Sequence, residues 1–326
     1  MDVRLITPDG ARQAKPGDLV DLLVDADGVL WVDIPQDDPD AVRVLTEVFC
    51  FHPKAVTDAV SRSPVPKVHL YADHAFVVLH APEPGTGGHI HFVELDLFVS
   101  ARYVVTVHGP VNPAVPQEAT RVETDAVAAR VDAGRFRPTT GYELSTAIVG
   151  ALTGRMRDHL AVRTTDVWRF EQQVTAGELG DAERFLDGMF RVRHGLLSVR
   201  TMAAQSAEVY GRMHAREVFG PEHQRLLEDN EDQFRRIATM AHSQEDYLQG
   251  VIEFYQTRTN TKMTIAAERL AVIAAVTLPV TALSSVLGMN VIVNQTTHWT
   301  ALIVLLAVML VLSVLLLVWA KRHGWW

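Results

Sequence analysis

Two stretches of this chain carry no charge at all: residues 270–287 and residues 300–320, runs of 18 and 21. Each is long enough to cross about 30 Å of hydrocarbon as a helix. The second reads ALIVLLAVMLVLSVLLLVW and has no polar face, unlike the amphipathic helix of a soluble core. Lys262 and Arg269 precede the first run, and Lys321 and Arg322 follow the second. The connecting segment 291–299 has neither lysine nor arginine. This asymmetry predicts a multi-pass protein of the cell (inner) membrane with both termini cytoplasmic and only the short connection outside. Trp299 at one boundary, with Trp319, Trp325 and Trp326 at the other, suits the two interfacial belts.

What precedes the runs must fold in water. The 326 residues carry a formal charge of −9, which argues against a nucleic-acid partner. With 48% hydrophobic residues there is ample core, so disorder is not expected. The single cysteine, Cys50, fits a reducing compartment, and the N-terminal residues do not read as a signal peptide. Residues 1–110 read as a mixed α/β domain. VLWVDI is a short strand; KVHLY and HAFVVLHA pair across a tight turn at Ala72-Asp73. HIHFVELDLFV alternates over eleven residues and returns as YVVTVH. From residue 111 to 262 the pattern is helical, with segments near 118–133, 142–177, 181–216 and 222 onward. Between 223 and 287 Pro279 is the only proline and Gly250 the only glycine, so one helix of about 100 Å is expected at ~1.5 Å per residue. Phe234, Ile237, Ala241, Leu248, Val251, Tyr255 and Met263 give it a seam. Residues 263–326 form the membrane part: a first span at about 264–287, an outer loop at 288–299 and a second span at about 300–320.

The first span has two unlike faces. Thr264, Ala267, Ala271, Ala274, Leu278, Thr281 and Ser285 share a stripe of mostly small or weakly polar residues, which by itself suits tight helix packing. The stripe leads to Gly288, Met289 and Asn290, in a stretch without formal charge. Two spans cannot enclose a pore, so Asn290 can line one only as a ring of rotated copies. A neutral ring of amide and carbonyl oxygens suits hydrated magnesium, which gives up its water reluctantly. Gly288 would let the backbone approach closely.

Gly288-Met289-Asn290 at the outer end of the first of two C-terminal spans, after a long helix, resembles the CorA-type magnesium transporter family. So do WVDI at 31–34, HPKAVTDAV at 52–60, PKVHLYADHAFVVL at 66–79 and VELDLFVSARYVVTV at 93–107, in that order. The resemblance implies an α+β cytoplasmic domain with a mixed sheet, a long stalk helix and two C-terminal transmembrane helices in a funnel-shaped homopentamer within lipid. It implies that Gly288, Met289 and Asn290 form the selectivity filter. Thr264, Ala267, Leu270, Ala274, Leu278 and Thr281 would line the pore, with Glu253 at its inner mouth. It further implies that Mg2+ is both the transported and the regulatory ion, the latter held by Asp58 and by Asp229 of a neighbouring subunit, with no organic cofactor. Two facing carboxylates repel unless a divalent ion lies between them, so loss of magnesium would loosen the ring and open the pore.

This chain departs from the family pattern at several places. Leu287 and Val291 replace the tyrosine and phenylalanine that usually flank the motif; Thr264 and Ala267 stand for asparagine and methionine near the inner pore. Glu268 stands for a lysine, Thr57 for a second sensor acid, and the loop VIVNQTTHW has no acid to gather cations. Within transport the alternative is zinc, cobalt or another divalent ion, with proton coupling as its driving force. A non-conducting metal sensor is the alternative of another class. His89 and His91 share a strand face that could hold a transition metal, but the 14 histidines are spread without ligand-like clustering, so no structural zinc site is expected. With no phosphate loop, nucleophile elbow or Cys-His pair, the chain is not expected to be an enzyme.

Overall fold

The computed structural model describes residues 1–25, 27–177, 181–291 and 299–322. It divides into two compact units, Met1–Val251 and Ile252–Trp326. The first is an α/β layer followed by long helices. Its strands are β1 (Asp2–Thr7), β2 (Gly10–Ala14), β3 (Val29–Ile34), β4 (Lys67–Leu70), β5 (Ala75–Pro84), β6 (Ile90–Val99) and β7 (Tyr103–His108). They form one seven-stranded sheet in the order β2-β1-β3-β7-β6-β5-β4. Every described pairing is antiparallel except β3 with β7, where Val32 stands opposite Val105. That parallel pair joins an N-terminal hairpin to a C-terminal meander, which makes the sheet mixed.

The sheet is covered on both faces, and register tells which residue meets which cover. One face carries Val3, Leu5, Leu30, Val32, Ile34, Phe76, Val78, Phe98, Val105 and Val107. It packs under α1 (Leu19–Asp25), α2 (Ala41–Arg43, continued by a π turn over Val44–Val48) and α3 (Pro53–Val60), through Leu19, Leu45, Phe51 and Ala55. Stacked Phe51 and Phe98, 4.0 Å between ring centres, tie α3's leading turn to β6. The opposite face meets the later helices: α4 (Gln117–Thr120), α5 (Val122–Asp132), α6 (Gly141–Ala176) and α7 (Ala182–Ala215). Burial on both faces overturns one expectation. The alternation in HIHFVELDLFV suggests a half-exposed strand, yet seven consecutive residues, Val93–Val99, are buried. Glu94 and Asp96 therefore point into the protein, not into water.

α8 runs unbroken from Gln224 to Val291, 68 residues, through Pro279. In the first unit Leu227, Asn230, Phe234, Ile237, Ala241, Leu248 and Val251 are buried at three-, four- and seven-residue steps. Phe234 stacks on Tyr210 of α7, so the seam packs against that helix. Met263, expected in the same seam, is 66% exposed.

In the second unit α8 continues and α9 covers Trp299–Arg322. Both helices are long and apolar enough to cross a membrane, and only 6% of each apolar window is buried. That is the reverse of a soluble core. The chain thus has an N-terminal mixed-sheet α/β domain, a long helix and a C-terminal apolar helix.

Candidate functional site

Along residues 270–285 of α8 the shielded residues are Val272, Ala274, Val276, Pro279, Val280 and Leu283. At about 100° per residue all but Ala274 lie within an arc of about 100°. On α9, Leu305, Met309, Leu312, Ser313, Leu316 and Ala320 make one shielded stripe at similar spacing. One such stripe per helix is what two packed helices require. Thr264, Ala267, Leu270, Leu278 and Thr281 are exposed and Ala274 is half-buried. These six occupy an arc of about 120° centred nearly opposite the shielded face. Ala274 apart, the stripe expected to line a pore falls within the broader surface of α8 that is exposed in the single chain.

Its polar members are already oriented. Thr264 donates its hydroxyl to the Asn260 carbonyl at 3.0 Å, and Thr281 donates to the Thr277 carbonyl at 2.8 Å. A threonine hydroxyl committed in this way offers only lone pairs outward, as an acceptor for the hydrogens of a cation's water shell. Leu270 and Leu278, each 66% exposed, are the apolar points of the same stripe. Glu253 is exposed on α8, two residues into the second unit. The backbone is helical through Val291. The surroundings of Gly288 and the side chains of Met289 and Asn290 lie outside the described residues, as does the whole of the 292–298 loop.

The two sensor candidates sit in the first unit. α3 begins cleanly: Pro53 opens it, and the His52 ring accepts the Lys54 N–H at 3.2 Å. Asp58, near its end, is 20% exposed. Lys67 Nζ of β4 lies 2.9 Å from its Oδ2, and His69 Nε2 lies at 3.5 Å. Thr57, at the position of the second acid, donates to the Pro53 carbonyl at 2.9 Å. Asp229 is exposed on α8. Both are hard oxygen donors of the kind magnesium takes, but Asp58 already carries a tethered ammonium. Among the described residues no three histidine, cysteine, aspartate or glutamate side chains stand so as to hold a metal ion.

Beneath this region lies a group of acids that sequence reasoning missed. Asp96 is fully buried, and neither carboxylate oxygen has a hydrogen-bond partner. Glu94, 7% exposed, accepts the Ser63 N–H at 2.8 Å. His80, opposite Glu94 across β5 and β6, donates Nε2–H to the Ser63 carbonyl at 2.8 Å. Burial pushes the Glu94 carboxyl up to about 7. Burial, and then the charge of Glu94, hold Asp96 well above the usual carboxylate range. The signal was the two acids in VELDLFV, legible only once both faces of the strand are known to be covered.

Asp33 of WVDI, on the other face, is buried but satisfied. It accepts from His108 Nε2 at 2.9 Å and from Arg121 at 3.1 Å, and Arg121 also reaches Asp2 at 2.7 Å. Burial alone would raise its pKa; the hydrogen bond and charge of His108, with Thr106 and Arg121, outweigh that and lower it. This network braces β3 against β7.

Comparison with known proteins bears on the fold and the family. Over 303 residues the chain is 22% identical to YfjQ of Bacillus subtilis (strain 168), a protein named as a metal ion transporter, covering 90% of this chain and 89% of that one. The fold is similar to the complete structure of the CorA magnesium transporter from Methanocaldococcus jannaschii, with TM-score 0.80 and 13% identity over 100% of this chain and 98% of that one. It is also similar to the full-length CmaX protein, with TM-score 0.76 and 16% identity over 100% and 98% of the two chains. The ZntB cytoplasmic domain from Vibrio parahaemolyticus RIMD 2210633 matches 80% of this chain and 98% of its own length, with TM-score 0.61 and 12% identity. A family model described as CorA-like Mg2+ transporter protein matches residues 26–322. The chain belongs to that family.

Proposed function

We propose that this protein is a membrane channel for divalent cations, magnesium first, which passes hydrated ions down their electrochemical gradient through a pore made by five copies of α8. The observation that carries the reading is the uncovered stripe from Thr264 to Thr281, whose polar members offer acceptors and which leads to Gly288-Met289-Asn290. A ring of Asn290 side chains would accept hydrogen bonds from the ion's waters without the tight hold of a carboxylate ring. Leu270 and Leu278 would form hydrophobic constrictions that close by excluding water. Cytosolic magnesium between Asp58 of one subunit and Asp229 of the next would hold the ring closed.

Uptake of magnesium into dye-loaded proteoliposomes tests this. The native chain is expected to take up magnesium, and Asn290→Ala to abolish uptake while the protein still assembles. Absence of native uptake, with internal magnesium varied and zinc also tried, would overturn the channel and leave a non-conducting sensor. The fold likeness to the ZntB cytoplasmic domain and the acid-free outer loop favour one second reading, transport of zinc. Zinc flux that excess magnesium does not inhibit would support it.

A further inference from the structure

The β5–β6 turn and helix α7 place three histidines side by side, well away in sequence from the residues assigned to the pore or the sensor. His89 precedes β6 in extended backbone and His91 is the second residue of that strand, so the two share a face. Their ring centres are 4.7 Å apart. His194 of α7 brings a third ring to 6.2 Å from His89. In a tetrahedral site with metal–nitrogen bonds near 2.1 Å, two imidazole centres stand about 5 Å apart. The observed spacings bracket that value.

The backbone under these rings is fixed by close packing. Gly88 has φ +83, and a Cβ there would come within 2.6 Å of the Arg191 side chain, so the turn lies directly on α7 one helical turn before His194. Gly85 sits against His91, where a Cβ would meet Nε2 at 2.5 Å. Arg191 is paired with Asp187 on its own helix, which offsets its charge beside the turn. The rings do not yet converge on one point. His89 and His194 are exposed and His91 is half-buried. Rotation between staggered side-chain positions therefore costs little.

We propose that His89, His91 and His194 form a transition-metal site on the cytoplasmic α/β unit, taking zinc or a similar imidazole-preferring divalent ion, and not magnesium. Imidazole is a borderline donor that suits zinc, cobalt and nickel, whereas magnesium demands oxygen. The site gives the protein a receptor chemically distinct from its carboxylates, and it does not depend on the channel reading.

The test is zinc titration of the full-length chain in detergent by calorimetry, with magnesium in excess, followed by cobalt titration read in the visible band that tetrahedral coordination enhances. The native chain is expected to keep a zinc site that magnesium does not displace. His89→Ala and His194→Ala should each weaken it at least about tenfold and remove the cobalt band. His242→Ala, which alters an exposed histidine elsewhere on α8, should change neither. Circular dichroism confirms that each variant is folded. Unchanged binding in the His89→Ala/His194→Ala double variant would overturn the site. Loss in His89→Ala but none in His194→Ala would overturn the three-residue site in favour of a simple chelating pair.

Discussion

Glu94 shows how much one side chain's surroundings decide. A carboxylate on an exposed strand face would ionise near its ordinary value of 4.5; burial moves this one to about 7. The folded state therefore prefers the protonated form. Its contribution to stability is full below 4.5, shrinks as pH rises, and is lost once pH passes about 7. His80 acts in the opposite sense: burial lowers it from 6.5 to about 4, so stability is lost as pH falls through that window. The raw profile is a compromise, and the difference between native and variant isolates the acid. Glu94→Gln keeps an oxygen for the Ser63 N–H and removes the charge. It should stabilise the chain by ~1–3 kcal/mol near pH 8 and by almost nothing near pH 5. Thermal unfolding at both pH values checks this, and an equal shift at each would contradict it.

At the scale of the element, α8 carries two programmes in one helical sequence. Up to Val251 its buried seam packs in water against the helices of its own chain; beyond that, most of its surface is uncovered. In the membrane half the shielded residues and the proposed pore stripe differ chiefly by angle around the helix. Val272 is 7% exposed and Leu278, less than two turns on, is 66% exposed. Leu278→Ser should leave the protein assembled but raise magnesium leak several-fold at high internal magnesium, because a polar constriction stays wet. Val272→Ser should leave leak unchanged and lower the yield of folded protein through lost helix packing. Flux and detergent-extracted yield, measured on both, decide the matter. Equal leak from the two would mean that the faces are misassigned.

For the whole molecule, the proposed channel asks for more than one chain, since two spans cannot enclose a pore, and Asp58 pairs with Lys67 at the position proposed for the regulatory ion. The proposed regulation makes magnesium compete with that ammonium. A partly exposed ion pair is worth about 1 kcal/mol, so Lys67→Met should lower the magnesium needed for protection from protease about fivefold. Lys67→Arg, which keeps the charge, should leave it near native. Asp58→Ala and Asp229→Ala should abolish metal-dependent protection altogether. If the aspartate variants behave as expected and Lys67→Met does not shift the midpoint, the lysine serves only to pack the sheet edge. If the aspartates are silent, the sensor reading fails. The particle mass in detergent should correspond to five chains of 36.1 kDa.

The spans and the helices were legible in the order of the residues because their causes are local. A bilayer demands an uninterrupted apolar run, and a helix writes its period into every fourth side chain. The central strands were legible for the same reason. The β1–β2 hairpin was not read, although Asp9-Gly10 between two short runs is a recognised turn signal. Three things depended on contacts between distant residues and so on tertiary structure. Covering β6 on both faces turned Glu94 and Asp96 into buried acids. Folding β4 beside α3 gave Asp58 its lysine. Laying α7 on a glycine turn brought His194 to the His89–His91 pair, a neighbour that the spread of histidines along the sequence did not reveal. The sequence by itself determined that this chain has two runs long and apolar enough to cross a membrane and which stripe of its long helix is small and weakly polar. Only the fold decided which acids are buried and which carry a counter-charge, because charge and burial depend on neighbours that the linear order does not name.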